Sequence, residues 1–137
     1  MSQKGVYKAP AKTSPFKHNL VGSATFVIGA EGSNIINVGI QLLDENFNEL
    51  VERGSVRFYL SADSHGDAIA GTAMDTIAIG TDGLYQQLTA GKAGFLTSEA
   101  DGDIDLNLTY ASGALTVYLV LVMPDGSLVV SDAITFA

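Results

Sequence analysis

A-L-T-V-Y-L-V-L-V-M-P-D-G-S-L-V-V-S-D-A-I-T-F, residues 114–136, reads as two strands around one turn. Pro124 presets the backbone of that turn, and the Asp125-Gly126 pair behind it tolerates left-handed dihedrals, so the chain is expected to double back as a hairpin. The outgoing strand is apolar on both sides, with Val117, Leu119, Leu121 and Met123 on one and Tyr118, Val120 and Val122 on the other. A strand buried on both faces in a small sandwich implies cover on its second face from a second molecule or from the amino-terminal arm. Tyr118, Val120 and Val122 are therefore the expected interface positions. The apolar run from Ala114 to Met123 falls well short of the ~20 residues a membrane helix requires, so no membrane partner is expected.

Working back towards the amino terminus, the same period of two recurs. Ala24, Phe26 and Ile28 alternate with Ser23, Thr25 and Val27, and Ile36, Val38, Ile40 and Leu42 alternate with Asn37, Gly39 and Gln41. Val56, Phe58 and Leu60 oppose Ser55, Arg57, Tyr59 and Ser61. Such alternation marks half-buried strands, and G-A-E-G-S-N and D-E-N-F-N-E-L between them are turn sequences. T-I-A-I-G and G-L-Y-Q-Q-L form two short strands around T-D-G, and K-A-G-F-L-T-S forms another. Residues 62–75, small and weakly patterned, predict a long loop with one helical turn. Seven to nine short strands with regular turn signals make the fold all-β, an antiparallel β-sandwich of Ig-like type, with a jelly roll as the alternative.

One domain is expected in 137 residues, spanning 21–137 behind an extended basic arm at 1–20. Lys4, Lys8, Lys12 and Lys17 fall in the first 17 residues, which hold no acid. From residue 18 onward Arg53, Arg57 and Lys92 face all 15 carboxylates, a balance of 3 − 15 = −12. A body so negative repels phosphate backbones, which excludes nucleic acid as its partner. Charged residues are 16% of the chain against 47% apolar, too few to cover the outside of a lone small domain, so an oligomer or an assembly component is expected. There is no cysteine, hence neither a disulfide nor a thiolate metal site. The polar, proline-broken amino terminus lacks the apolar core of a signal peptide.

The densest chemistry lies in S-E-A-D-G-D-I-D-L-N-L-T-Y, Ser98 to Tyr110, where Glu99, Asp101, Asp103 and Asp105 are spaced two apart. With Ile104, Leu106 and Leu108 pointing inward, the acids, Asn107 and Thr109 line the outer side of one strand. Counted from Asp101, the glycine and glutamate positions of a helix-loop-helix calcium site hold Leu106 and Ser112, so that motif is absent. A non-helical calcium site at the sandwich edge is a minor alternative. A glycosidase pair needs two carboxylates with separated pKa values across the sugar, which neighbours on one short strand do not provide. D-S-H-G-D, Asp63 to Asp67, holds Ser, His and Asp too close along the chain for a triad and reads as a loop. His18 has no ligating neighbour, and no phosphate-binding glycine motif occurs. Asn107-Leu108-Thr109 fits a glycosylation sequon but also follows from strand alternation. No catalytic residue, metal ligand or cofactor is assigned.

N-V-G-I-Q-L-L-D-E-N-F-N-E-L-V-E-R-G-S-V-R-F-Y-L-S resembles the strand, turn and strand of immunoglobulin-like modules. With I-G-T-D-G-L, S-E-A-D-G-D-I-D-L-N-L-T and V-L-V-M-P-D-G-S-L-V-V-S-D-A-I-T-F, it is similar to small structural proteins of tailed bacteriophages, over roughly residues 22–137. The resemblance implies a capsid decoration (cement) protein, non-enzymatic, dimeric or trimeric, made in the bacterial host cytoplasm and carried on the virion surface. Its partners would be the major capsid protein and itself. Lys4, Lys8, Lys12 and Lys17 of the arm would steer towards acidic coat patches while Tyr7 and Phe16 dock; Tyr118, Val120 and Val122 would meet the coat or another copy. The alternative is a carbohydrate- or cell-surface-binding module of a tail spike, fibre or other appendage, although sugar platforms favour aromatics and the chain has no Trp.

Overall fold

In a computed structural model that describes residues 20–137, ten strands follow one another and no helix is found among the described residues. They are β1 (Val21–Ile28), β2 (Ile35–Asp44), β3 (Ser55–Ser61), β4 (Thr76–Ile79), β5 (Leu84–Thr89), β6 (Ala93–Thr97), β7 (Asp103–Thr109), β8 (Leu115–Val122), β9 (Leu128–Val130) and β10 (Ile134–Phe136). Lys4, Tyr7, Lys8, Lys12, Phe16 and Lys17, and His18 with them, lie outside the described residues.

Two antiparallel sheets make a β-sandwich. One has the order β1-β2-β7-β4; the other has β10-β8-β3-β6-β5, with β9 also on β8. The first sheet and the β10-β8-β3 part of the second reproduce the neighbour relations of the two immunoglobulin sheets, and the β5–β6 hairpin extends the second beyond β3. Alternation builds the core. Val38, Ile40 and Leu42 of β2 and Ile104, Leu106 and Leu108 of β7 face Val56, Phe58 and Leu60 of β3 and Val117, Leu119 and Leu121 of β8, all almost wholly excluded from solvent.

Three local features depart from the simple alternation pattern. The strand returning from Pro124 is split, because β9 and β10 pair with β8 one residue out of step. That extra residue, around Ser131–Ala133, shifts the inward set so that Ile134 and Phe136 enter the core. Secondly, β4 and β5 flank the T-D-G turn yet belong to opposite sheets: β4 pairs with β7, and β5 with β6. The crossing is held by Asp105, whose carboxylate accepts hydrogen bonds from the Thr81 amide (3.0 Å) and hydroxyl (2.8 Å). A Cβ on Gly80 would lie 2.7 Å from that carboxylate, so the close approach requires glycine. Thirdly, residues 62–75 contain no helical turn; the Ser61–Ile69 bridge and the Ala70 amide bonded to the Leu60 carbonyl turn the loop back, and Ala70 and Met74 join the core.

Candidate interaction surface

The outer face of the second sheet is the most distinctive surface. None of its strands, β3, β5, β6, β8, β9 or β10, contains an Asp or Glu, in a body that carries 15. Apolar side chains stand out from it: Leu84 (62% exposed) and Leu88 (56%) on β5, Phe95 on β6, Ile69 from the neighbouring loop and Leu128 on β9. Large exposed apolar side chains on an acid-free face make it a candidate interaction surface, while Val27, Phe47 and Val51 stand out singly elsewhere on the body.

Strand register explains the grouping. Gln86 pairs with Phe95, Phe95 with Arg57, Arg57 with Val122 and Val122 with Leu128, forming one row across the sheet. Along this row lies an open groove of ≈ 290 Å³, lined by Arg57, Tyr59, Ile69, Leu88, Ala93 and Val122. A second groove, of ≈ 360 Å³, runs between Leu84, Gln86, Phe95 and Thr97. The edge of the sheet is β5, hydrogen-bonded on one side only, and its sequence L-Y-Q-Q-L-T contains neither charge nor proline to discourage further pairing.

Arg57 is exposed at the centre of the face. Among the described residues the single ion pair joins Arg53 to Glu99 at 3.6 Å, so no carboxylate neutralises Arg57. The other body cation, Lys92, lies in the β5–β6 turn, where its amide bonds the Thr89 carbonyl.

The expected interface residues of β8 behave differently from one another. Val120 is fully buried by the chain itself: the 62–69 loop folds over it, with Gly66 (φ 76°) packed against Val120, Tyr59 and Leu128 and its carbonyl accepting the Tyr59 hydroxyl at 2.5 Å. A loop of this chain thus supplies cover that alternation assigns to a second molecule or the arm, and Val120 has no outward surface to offer. Tyr118 and Val122 are half-buried, and Val122 reaches the groove. The sequence signal for the exposed apolar groups of this face is the pair Leu84 and Leu88, with Gln86 between them on a strand that carries no charge.

The acidic stripe lies on the other side of the molecule. Asp103, Asp105, Asn107 and Thr109 are half-buried on the outer face of β7, opposite the buried Ile104, Leu106 and Leu108. Glu99 accepts the Gly83 amide (2.9 Å), and Asp101 the Asp103 amide (3.2 Å). Asp105 is held below the usual carboxylate range by the Asn37 side-chain amide first and then by Thr81. Asp103 is pushed up by burial, followed by the nearby carboxylates of Asp82, Asp101 and Asp105.

Among the described residues, the three ligating groups brought together are not these but Asp63, His65 and Asp67, whose ligand atoms lie within 4.8 Å of one another. Asp63 already accepts the His65 and Asp67 amides (2.9 and 3.0 Å), which keep its carboxyl below the ordinary value and tie the loop. These carboxylates thus tie turns and strand crossings.

No protein-family model matches the chain, and no curated protein does. Among solved structures, the cohesin module of a family 33 glycoside hydrolase from Clostridium perfringens aligns over 85% of this chain and 94% of that one, at 16% identity and a TM-score of 0.39.

Proposed function

We propose that this protein is a non-enzymatic virion structural protein, a decoration or cement protein that binds the outer shell of a tailed bacteriophage and stabilises contacts between major capsid subunits. The observation that carries the reading is the acid-free outer face of the second sheet, with Leu84, Leu88, Phe95, Ile69 and Leu128 left exposed. Burying such a face against a neighbour removes apolar area from water, at ~25 cal/mol per Å², with no carboxylate on the sheet's own strands to desolvate. The phage assignment comes from the resemblance of the quoted strand and turn segments.

Leu20, where the basic arm meets the described body, lies beside Pro124 and Asp125 of the β8–β9 turn. In this reading the basic arm and the acid-free face engage one coat neighbour together. Two linked contacts on one partner gain affinity through effective concentration.

The test is stoichiometric. Particles carrying this chain, purified and quantified by mass spectrometry, are expected to hold it in a simple ratio to the coat subunit, and removal of residues 1–19 is expected to lower that occupancy. A handful of copies per particle, together with binding on a glycan array, would replace the shell role with the carbohydrate- or cell-surface-binding module of an appendage.

A further inference from the structure

We infer that the outer face of the second sheet recognises an acidic–apolar segment of its partner, whose carboxylate pairs with Arg57 while the flanking apolar side chains fill the grooves beside Leu88 and Phe95. The inference rests on the docking reading above and adds the chemistry of the occupant.

Charge complementarity selects that chemistry. An arginine in the middle of an uncharged apolar row, with Val122 and Phe95 as its cross-strand neighbours, loses water when the face is covered. An approaching surface must then supply an anion, since a charge buried without a partner is strongly unfavourable. Among the described residues no carboxylate forms an ion pair with the Arg57 guanidinium.

The rest of the molecule enforces the register. A body with a balance of 3 − 15 = −12 repels an acidic segment everywhere else, and the nearest acids, Asp63 and Asp67, flank Tyr59 at the rim. An anionic partner is thus excluded from the wrong faces and admitted at one point. The uncharged edge of β5 leaves backbone donors and acceptors free for an extended segment to bond as it lies there.

The experiment uses the full chain, immobilised, to select from a displayed library of random linear peptides, with affinities of the enriched peptides then measured in solution. The expected result is peptides in which one Asp or Glu is flanked by apolar residues, binding Arg57→Glu at least tenfold more weakly than the natural chain, and regaining affinity for that variant when their acid is exchanged for Lys. Leu88→Ser is expected to weaken the same peptides, while both variants, altered at exposed positions, keep the natural melting temperature. Enriched peptides without an acid, no enrichment, or equal affinity for Arg57→Glu would overturn the inference. So would sedimentation showing that the face is filled by a second copy, with dimers abolished by Arg57→Glu. The two readings separate cleanly: Arg57→Glu loading onto particles at the natural copy number sinks the Arg57 role and spares the shell role, whereas acid-bearing peptides with no occupancy on any particle do the reverse.

Discussion

Asp103 and Asp105 stand two residues apart on one strand face and have opposite effects on stability. Asp105 accepts hydrogen bonds from Asn37 and Thr81, so its folded-state pKa lies below the unfolded value. Its contribution is present above the ordinary carboxylate pKa and disappears as pH falls through the lowered one. Replacing Asp105 by Ala is expected to cost about 1–2 kcal/mol at neutral pH, allowing for a carboxylate half open to solvent, with the deficit shrinking in acid. Asp103 is the reverse: burial and its acidic neighbours raise its folded pKa, so the ionised form weakens the fold, and the penalty is relieved as pH falls through that raised value. Asp103→Asn should therefore melt higher than the natural chain at pH 7 and converge with it in acid. Thermal melts of both variants across pH 3–8 check the pair; shifts of the same sign would refute this account of the stripe. Tyr85 adds a simpler case, since its hydroxyl is buried with no partner among the described residues, its ring tilted against Phe58; Tyr85→Phe is expected to be neutral or slightly stabilising by calorimetry.

At the scale of elements, two buried serines, Ser98 and Ser131, do the same job where strands end. The Ser131 hydroxyl accepts the Leu119 amide at 2.9 Å and donates to the Asp132 carbonyl at 2.8 Å; the Ser98 hydroxyl accepts the Gly54 amide at 2.9 Å and donates to the Glu99 carbonyl at 2.8 Å. At Ser131 the device sits on the one-residue irregularity that turns Ile134 and Phe136 inward. Ser131→Ala strands the Leu119 amide in the core and is expected to cost ~1–3 kcal/mol in urea unfolding. Deleting Asp132 should be far worse, because restoring register would expel Ile134 and Phe136 together. The hairpin itself was legible from Pro124-Asp125-Gly126, since turn chemistry is local. Its break was not, because V-V-S-D-A-I alternates poorly and the residue that slips is set by the partner strand. The same limit applies at Thr81-Asp82-Gly83: a turn sequence marks reversal of the chain but not whether the next strand joins the same sheet.

For the whole molecule, alternation identified the sandwich and the core residues almost strand by strand, because inward and outward follow from period two alone. It did not show what covers an outward apolar residue. Val120 is capped by a loop more than fifty positions away in sequence, around Gly66, while Leu84 and Leu88, on a strand that also carries two glutamines, stay open. Hydrophobic density along the sequence peaks in β8, an interior strand of its sheet, whereas Leu84 and Leu88 stand exposed on the β5 edge. Leu88→Glu places a charge on that edge without touching the core, and is expected to leave the melting temperature within about 1 °C while reducing occupancy on particles severalfold. The most direct measurement is hydrogen–deuterium exchange on the chain free and bound to its particle. The account predicts that binding protects β5, β6 and the 62–69 loop and leaves the β1-β2-β7-β4 sheet unchanged; protection confined to the acidic face of β7, or none in the body at all, would contradict it.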